Sequence, residues 1–223
     1  MEFDAAVKAL IDTGRWISEK NLTWGTAGNL SVRLDENTLL VTGSGTRFDR
    51  LDADSFCLYR ISDGTWTGRK PSKETPVHLA MYSECNWCEA VVHASPFYTT
   101  LAASSDLTIC NDLFVENMYY LQRMVRIPYA HPGSLTLAES VKKAAAKANI
   151  VLMENHGVIL YDTSLTECCA ALEVLENTCR MCIEASRAGI KLNHVKAETV
   201  KSFLTESGYK ALRAWPENMN DEQ

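Results

Sequence analysis

Two histidines stand where strand-like runs give way to turns. His93 closes the run Ala90-Val91-Val92, and His156 lies in Glu154-Asn155-His156-Gly157 between the apolar runs 150–153 and 158–161. Side chains from separate strand ends can converge on one pocket, and neutral imidazoles gathered there suit a divalent cation. Glu74 is the nearest partner carboxylate, as a general acid and base or as a ligand. Taken singly, a histidine after an apolar run is more often a satisfied core or turn residue, so both readings stand at this level. The other three histidines read as structural. His78 follows Glu74 by one helical turn and shares its face, His131 precedes a Pro-Gly turn, and His194 sits in a polar loop.

Three further segments suit an anion. Gly25-Thr26-Ala27-Gly28-Asn29 leads into a strand, Thr42-Gly43-Ser44-Gly45 leaves one, and Pro71-Ser72-Lys73 opens a helix. Glycine turns and helix N-termini present free backbone N–H groups to a phosphate or carboxylate. Ser44 and Ser72 add hydroxyls, and Lys73 adds a positive charge. No segment is a Walker A loop, and Phe48 stands where a third glycine would complete a dinucleotide fingerprint. Each segment alone is more often just a turn, and only their co-occurrence brings the anion reading level with it.

These residues need a scaffold, and the chain supplies one of ordinary globular make-up. Its 223 residues are 46% hydrophobic and 22% charged, enough apolar content for a full core in one domain over 1–223. The net charge of −6 and the lack of a basic block argue against a nucleic-acid partner. No apolar run nears the ~20 residues that span a bilayer, so no membrane is expected. The acidic start Met1-Glu2-Phe3-Asp4 is unlike a signal or transit peptide, which points to the cytoplasm. Eight cysteines include two C-x-x-C pairs, Cys85/Cys88 and Cys179/Cys182. A four-thiolate zinc site fits that spacing, but the second pair falls inside a helical stretch. Buried free thiols in a reducing compartment are the preferred reading.

The periodicity predicts helices over about 3–20, 75–85, 96–103, 134–148, 164–188 and 196–213. Strands are predicted over 30–34, 38–41, 56–61, 90–93, 124–129, 150–153 and 158–161. Several strand connections are too short for parallel crossovers. The expected architecture is a mainly antiparallel sheet covered by helices.

The ordered set Gly25-Thr26-Ala27-Gly28-Asn29-Leu30-Ser31, Thr42-Gly43-Ser44-Gly45, Pro71-Ser72-Lys73-Glu74, Val91-Val92-His93, Pro128-Tyr129 and Asn155-His156-Gly157 resembles the class II aldolase/adducin family. The resemblance runs from the first helix to about residue 188. It implies a three-layer α/β/α fold around a mainly antiparallel sheet, assembled as a homotetramer. It also implies a divalent metal, zinc first, with manganese, cobalt or iron as alternatives. The metal ligands fall on His93 and His156, and the acid/base carboxylate on Glu74. Phosphate and substrate binding falls on Gly28, Asn29, Ser44, Gly45, Ser72 and Lys73. The implied activity is carbon–carbon cleavage of a phosphorylated ketose or keto-acid, by retro-aldol reaction or decarboxylation.

Two positions depart from the family pattern. A second histidine is usual two residues after His93, but Ser95 stands there, so the third ligand falls on Ser95, Glu74, His131 or water. Lys73 takes the place of a serine, and Pro-Ser-Lys-Glu with Tyr82 later in the helix resembles the tetronate-phosphate decarboxylase branch. The tyrosine that aldolases draw from a neighbouring subunit matches Phe114 here, leaving Tyr119, Tyr120 or Tyr209 as candidates. An epimerase of the same family and a non-catalytic adducin-like binding module are the alternatives, the latter suggested by Ser95.

Overall fold

The computed structural model describes residues 1–212. Helix α1 (Phe3–Glu19) turns Ala6, Leu10 and Ile17 inward at helical spacing. Strands β1 (Asn29–Asp35) and β2 (Thr38–Thr42) then pair as an antiparallel hairpin. The chain continues through β3 (Phe56–Arg60), β4 (Trp66–Gly68), α2 (Thr75–Glu84), β5 (Ala90–Ala94), α3 (Phe97–Ala103) and α4 (Val115–Tyr120). It closes with β6 (Met124–Ile127), α5 (Leu135–Ala145), β7 (Ile150–Met153), β8 (Gly157–Asp162), α6 (Leu165–Ala188) and α7 (Ala197–Glu206).

The eight strands form one sheet in the order β4-β3-β2-β1-β5-β8-β7-β6. Only β6 and β7 run parallel among its pairs, and α5 supplies their crossover. Alternation along each strand divides the apolar side chains between two faces. Leu30, Val32, Val92 and Leu160 meet Leu10 of α1 and Leu172 of α6 on one face. Val41, Val91 and Ile159 meet Val77 and Met81 of α2 and Val141 of α5 on the other. The result is the expected three-layer α/β/α arrangement around a mainly antiparallel sheet.

This alternation also positions the polar residues. Because Leu30 and Val32 face α1 and α6, Asn29 and Ser31 face α2. The β1–β5 register places Asn29 opposite His93. Helix α2 packs over that same face, so Glu74 at its N-terminus and His78 one turn later are carried above Asn29 and Ser31.

Three sequence expectations needed correction. The C-terminal helix stops at Glu206 rather than near residue 213, because Gly208 turns the backbone left-handed at φ +66°. The end of that expected helix lies outside the described residues, as do residues 213–223 of the expected domain. Strand β4 was not anticipated, since Trp66, Thr67 and Gly68 are all exposed and show no burial pattern. Helix α4 has only six residues, too few for a helical period to stand out.

Candidate active site

The N-terminus of α2, the end of β5 and the β7–β8 turn meet at one point. Glu74, His93 and His156 each offer a ligand atom there, all within 4.8 Å of one another. Glu74 Oε2 lies 3.3 Å from His93 Nε2, and Glu74 Oε1 lies 3.2 Å from His156 Nε2. The imidazoles meet edge to face with centroids 4.9 Å apart.

Backbone geometry sets both rings. His93 Nδ1 lies 2.9 Å from the Val158 carbonyl, which only accepts, so Nδ1 carries the proton. The remaining Nε2 lone pair then points at Glu74. His156 sits on a tight turn after Asn155, itself left-handed at φ 54°, and before Gly157. A Cβ on Gly157 would come within 2.6 Å of the Ala94 carbonyl, so only glycine lets this turn press against the end of β5. Gly28 plays the same part at the start of β1: at φ +101°, its added Cβ would lie 2.8 Å from the His93 carbonyl.

Burial alone would raise the Glu74 carboxyl. The facing imidazoles, when protonated, and the Asn29 amide outweigh it and hold the group well below the usual carboxylate range. Burial pushes His93 below the ordinary histidine value, with Glu74 working against it. A neutral imidazole lone pair facing a carboxylate oxygen at 3.3 Å is repulsive unless a cation or proton lies between them. Two ligands of a tetrahedral zinc are about 3.3 Å apart, given bonds of about 2.0–2.1 Å. Glu74 Oε1 and His156 Nδ1 are also buried without a hydrogen-bond partner. The donor set and its spacing fit a divalent cation held by Glu74, His93 and His156.

Ser95 and His131 lie outside this group. The Ser95 hydroxyl donates to the His156 carbonyl at 3.2 Å. His131 Nδ1 instead meets the Tyr129 hydroxyl at 3.0 Å on the exposed turn after β6. That Tyr129–His131 pair was not singled out as a site. The turn it begins packs on Lys73, since a Cβ on Gly133 would lie 3.0 Å from the Lys73 carbonyl.

The three anion segments are neighbours. Gly43 and Pro71 form an isolated bridge, and the Ser44 amide donates to the Lys70 carbonyl at 2.8 Å. The Thr42 hydroxyl takes the Leu30 amide at 3.0 Å, tying the start of β1 to the same loop. Ser72 Oγ accepts the Glu74 amide at 3.2 Å, while Lys73 and Gly45 remain exposed. Ser44, Gly45, Ser72 and Lys73 therefore border the α2 N-terminus that carries Glu74, next to Gly28 and Asn29.

His78 is a satisfied core residue, as the sequence suggested, but its partners belong to the site. Its Nδ1 meets Ser31 Oγ at 2.6 Å, its Nε2 bonds Asn29 Oδ1, and Asn29 Nδ2 donates to Glu74 Oε2 at 2.9 Å. The candidate tyrosines face elsewhere. Tyr119 donates to the Ala211 carbonyl, and Tyr120 engages Glu167 and Lys210. Tyr209 stacks edge-on against Tyr119. Phe114 precedes α4.

The two C-x-x-C pairs stay apart: Cys85 and Cys88 lie in the core under α2 and α5, and Cys179 in the core on the opposite face of the sheet. All eight cysteines are free. A second potential donor group, Cys110, Asp112 and His194, is half-buried to exposed, and its His194 Nδ1 already meets Asp112 at 2.8 Å.

Residues 8–183 match the model of the Class II Aldolase and Adducin N-terminal domain. Over 183 residues the chain is 37% identical to 3-oxo-tetronate 4-phosphate decarboxylase of Haemophilus influenzae, covering 80% of this chain and 87% of that protein. It is 28% identical over 158 residues to L-fuculose phosphate aldolase of Methanococcus maripaludis, covering 70% and 84%. The solved structure of YgbL from Escherichia coli superposes with a TM-score of 0.80 at 26% identity, covering 89% of this chain and 97% of that one. The chain belongs to the class II aldolase and adducin family. Within it, identity to the decarboxylase exceeds identity to the aldolase.

Proposed function

We propose that this protein is a divalent-metal-dependent carbon–carbon lyase acting on a phosphorylated keto-acid, with decarboxylation as its reaction. The observation that carries the reading is the convergence of Glu74, His93 and His156 beside the anion segments. Decarboxylation is favoured over retro-aldol cleavage by Lys73 and by the greater identity to relatives named as decarboxylases. The family's phosphorylated ketoses are the alternative substrates.

His93 and His156 would hold the ion, with Glu74 offering the third ligand atom. When bound, a divalent ion supplies Lewis-acid stabilisation of the oxyanion that develops as the carbon–carbon bond breaks. The Val158 carbonyl orients His93, and Ser95 anchors the turn that carries His156. Glu74 Oε1 faces the reacting centre and moves the proton to or from the carbanionic carbon. Gly28, Asn29, Ser44, Gly45 and Ser72 bind the phosphate, so its binding energy positions the reacting end. Lys73, at the same helix N-terminus, pairs with the substrate carboxylate.

The active form is a homotetramer, and its location is the cytoplasm, in keeping with eight free thiols. Among the described residues no helix is long and apolar enough to cross a membrane. The meeting of the three site residues at one point argues against the binding-module reading, while the epimerase reading shares that centre and is disfavoured by the similarity to relatives named as a decarboxylase and an aldolase.

The test is the metal content of freshly purified protein beside a His93→Ala/His156→Ala variant, followed by assay of 3-oxo-acid phosphates for CO₂ release. About one ion per chain, lost in the variant, together with CO₂ release, is the expected result. Aldehyde release from phosphorylated ketoses alone would replace decarboxylation with aldol cleavage. No metal, and none bound on adding zinc, manganese or cobalt, would remove the lyase reading.

A further inference from the structure

A chain of five hydrogen-bonding side chains runs from the interior of α2 to the site. Tyr82 Oη lies 3.0 Å from Ser31 Oγ, and Ser31 Oγ lies 2.6 Å from His78 Nδ1. His78 Nε2 bonds Asn29 Oδ1, and Asn29 Nδ2 donates to Glu74 Oε2 at 2.9 Å. Ser31 and His78 are wholly buried, and the other three are less than a tenth exposed. Water therefore has little access to any link.

The direction of every bond follows from one end. An ionised carboxylate only accepts, so Asn29 must present its NH₂ to Glu74 and its carbonyl oxygen to His78. His78 must then donate from Nε2, which leaves Nδ1 as an acceptor. Ser31 donates to that nitrogen, and its oxygen accepts from Tyr82. A neutral Nε2–H imidazole is the state that satisfies all four contacts.

We propose that His78 is a positioning residue for the active site: it holds the Asn29 amide in the orientation that clamps Glu74 Oε2 and leaves Oε1 facing the metal ligands. The proposal rests on reading Glu74, His93 and His156 as a metal centre. His78 touches neither ion nor substrate and acts only through Asn29. Without an Nε2 donor, the amide loses its only partner for the carbonyl oxygen on that side. It can then rotate and turn that oxygen toward the carboxylate, where two acceptors repel. Partners one shell out from a metal ligand typically account for 10–100-fold in metal affinity or activity.

The experiment is calorimetric titration of zinc into metal-stripped protein, for wild type, His78→Leu, His78→Gln, Asn29→Leu and the Asn29→Leu/His78→Leu double variant. His78→Leu is expected to weaken zinc binding about tenfold or more. His78→Gln, which keeps an amide donor, should recover most of that loss. The double variant should bind no more weakly than Asn29→Leu alone, because the two residues act in series. Wild-type affinity in a folded His78→Leu, or full additivity in the double variant, overturns the proposal. Long-range ¹⁵N–¹H spectra of the wild type give a readout that needs neither metal nor variants. They should show His78 as the Nε2–H tautomer, and an Nδ1–H tautomer overturns the proposal even where His78→Leu fails to fold. Failure of the wild type to bind zinc, manganese or cobalt would instead sink the metal-centre reading, with the tautomer still deciding the direction of the chain.

Discussion

Ser95 gives its hydroxyl to the backbone carbonyl of His156 across 3.2 Å, spending on the turn the group that sequence reasoning had weighed as a metal ligand. Replacing it with alanine should therefore cost about 1 kcal/mol of stability, a typical net hydrogen bond, and leave the metal stoichiometry unchanged. Chemical denaturation and metal analysis of Ser95→Ala check both halves. Loss of the metal would show that Ser95 does more than steady the fold, either as a ligand or by fixing the turn that carries His156.

The converse substitution is equally informative. Ser95→His restores the residue usual in the family, yet Gly157 packs so closely that a Cβ there would lie 2.8 Å from Ser95 Oγ. An imidazole must displace the turn that carries His156. The expected outcome is a protein about 1–3 kcal/mol less stable, without tighter zinc binding. Tighter binding with unchanged stability would mean that the turn yields easily.

Glu74→Gln keeps the size of the side chain and an oxygen for Asn29, but removes the charge and the proton-carrying capacity. The turnover number should fall by about 10²–10⁴, the usual contribution of a positioned acid and base. The melting temperature should change little. A variant that retains wild-type turnover would shift the proton transfer to another group, with Tyr129 and His131 the first to test.

Much of this arrangement could be read in the sequence, and what could not has a physical reason. The β1–β2 hairpin, the buried run ending at His93 and the long α6 follow from periodicity and burial, and all formed within a few residues of expectation. Glu74, His93 and His156 stood out by residue type and by family resemblance. The link from His78 to Glu74 did not, because it depends on the register that sets Asn29 opposite His93 and on α2 packing across β1. Spacing along one chain carries neither. Helix α2 is buried at Thr75, Val77, His78, Ala80, Met81 and Tyr82, so no polar face marked His78 as turned toward a site.

His78 also gives a pH dependence. Burial pushes its imidazole down to about 3, with the nearby His93 adding to the effect, against an ordinary value of 6.5. Between these values the unfolded chain binds a proton that the folded chain refuses, so falling pH favours unfolding. The stability this residue contributes is complete above pH 6.5 and is lost progressively as pH drops toward 3. Urea midpoints should decline over that range, and less steeply in His78→Gln. Equal slopes in the two proteins would show that His78 takes up a proton without penalty.

The cysteines should be inert despite their number. Burial raises the Cys57 thiol to about 11 and the Cys169 thiol to about 12. Cys110, the half-buried thiol beside Cys182, is also held at about 11. The thiolate is the reactive and zinc-binding form, and at neutral pH it is a minute fraction at each of these positions. Native protein should therefore react slowly with a disulfide reagent, and unfolding in denaturant should release eight titratable thiols. The discriminating step is a strong chelator. If Cys85, Cys88, Cys179 and Cys182 shared a zinc ion, chelation would expose thiols to the reagent in the folded state. With the metal instead on Glu74, His93 and His156, chelation should abolish activity while leaving the rate of thiol reaction unchanged.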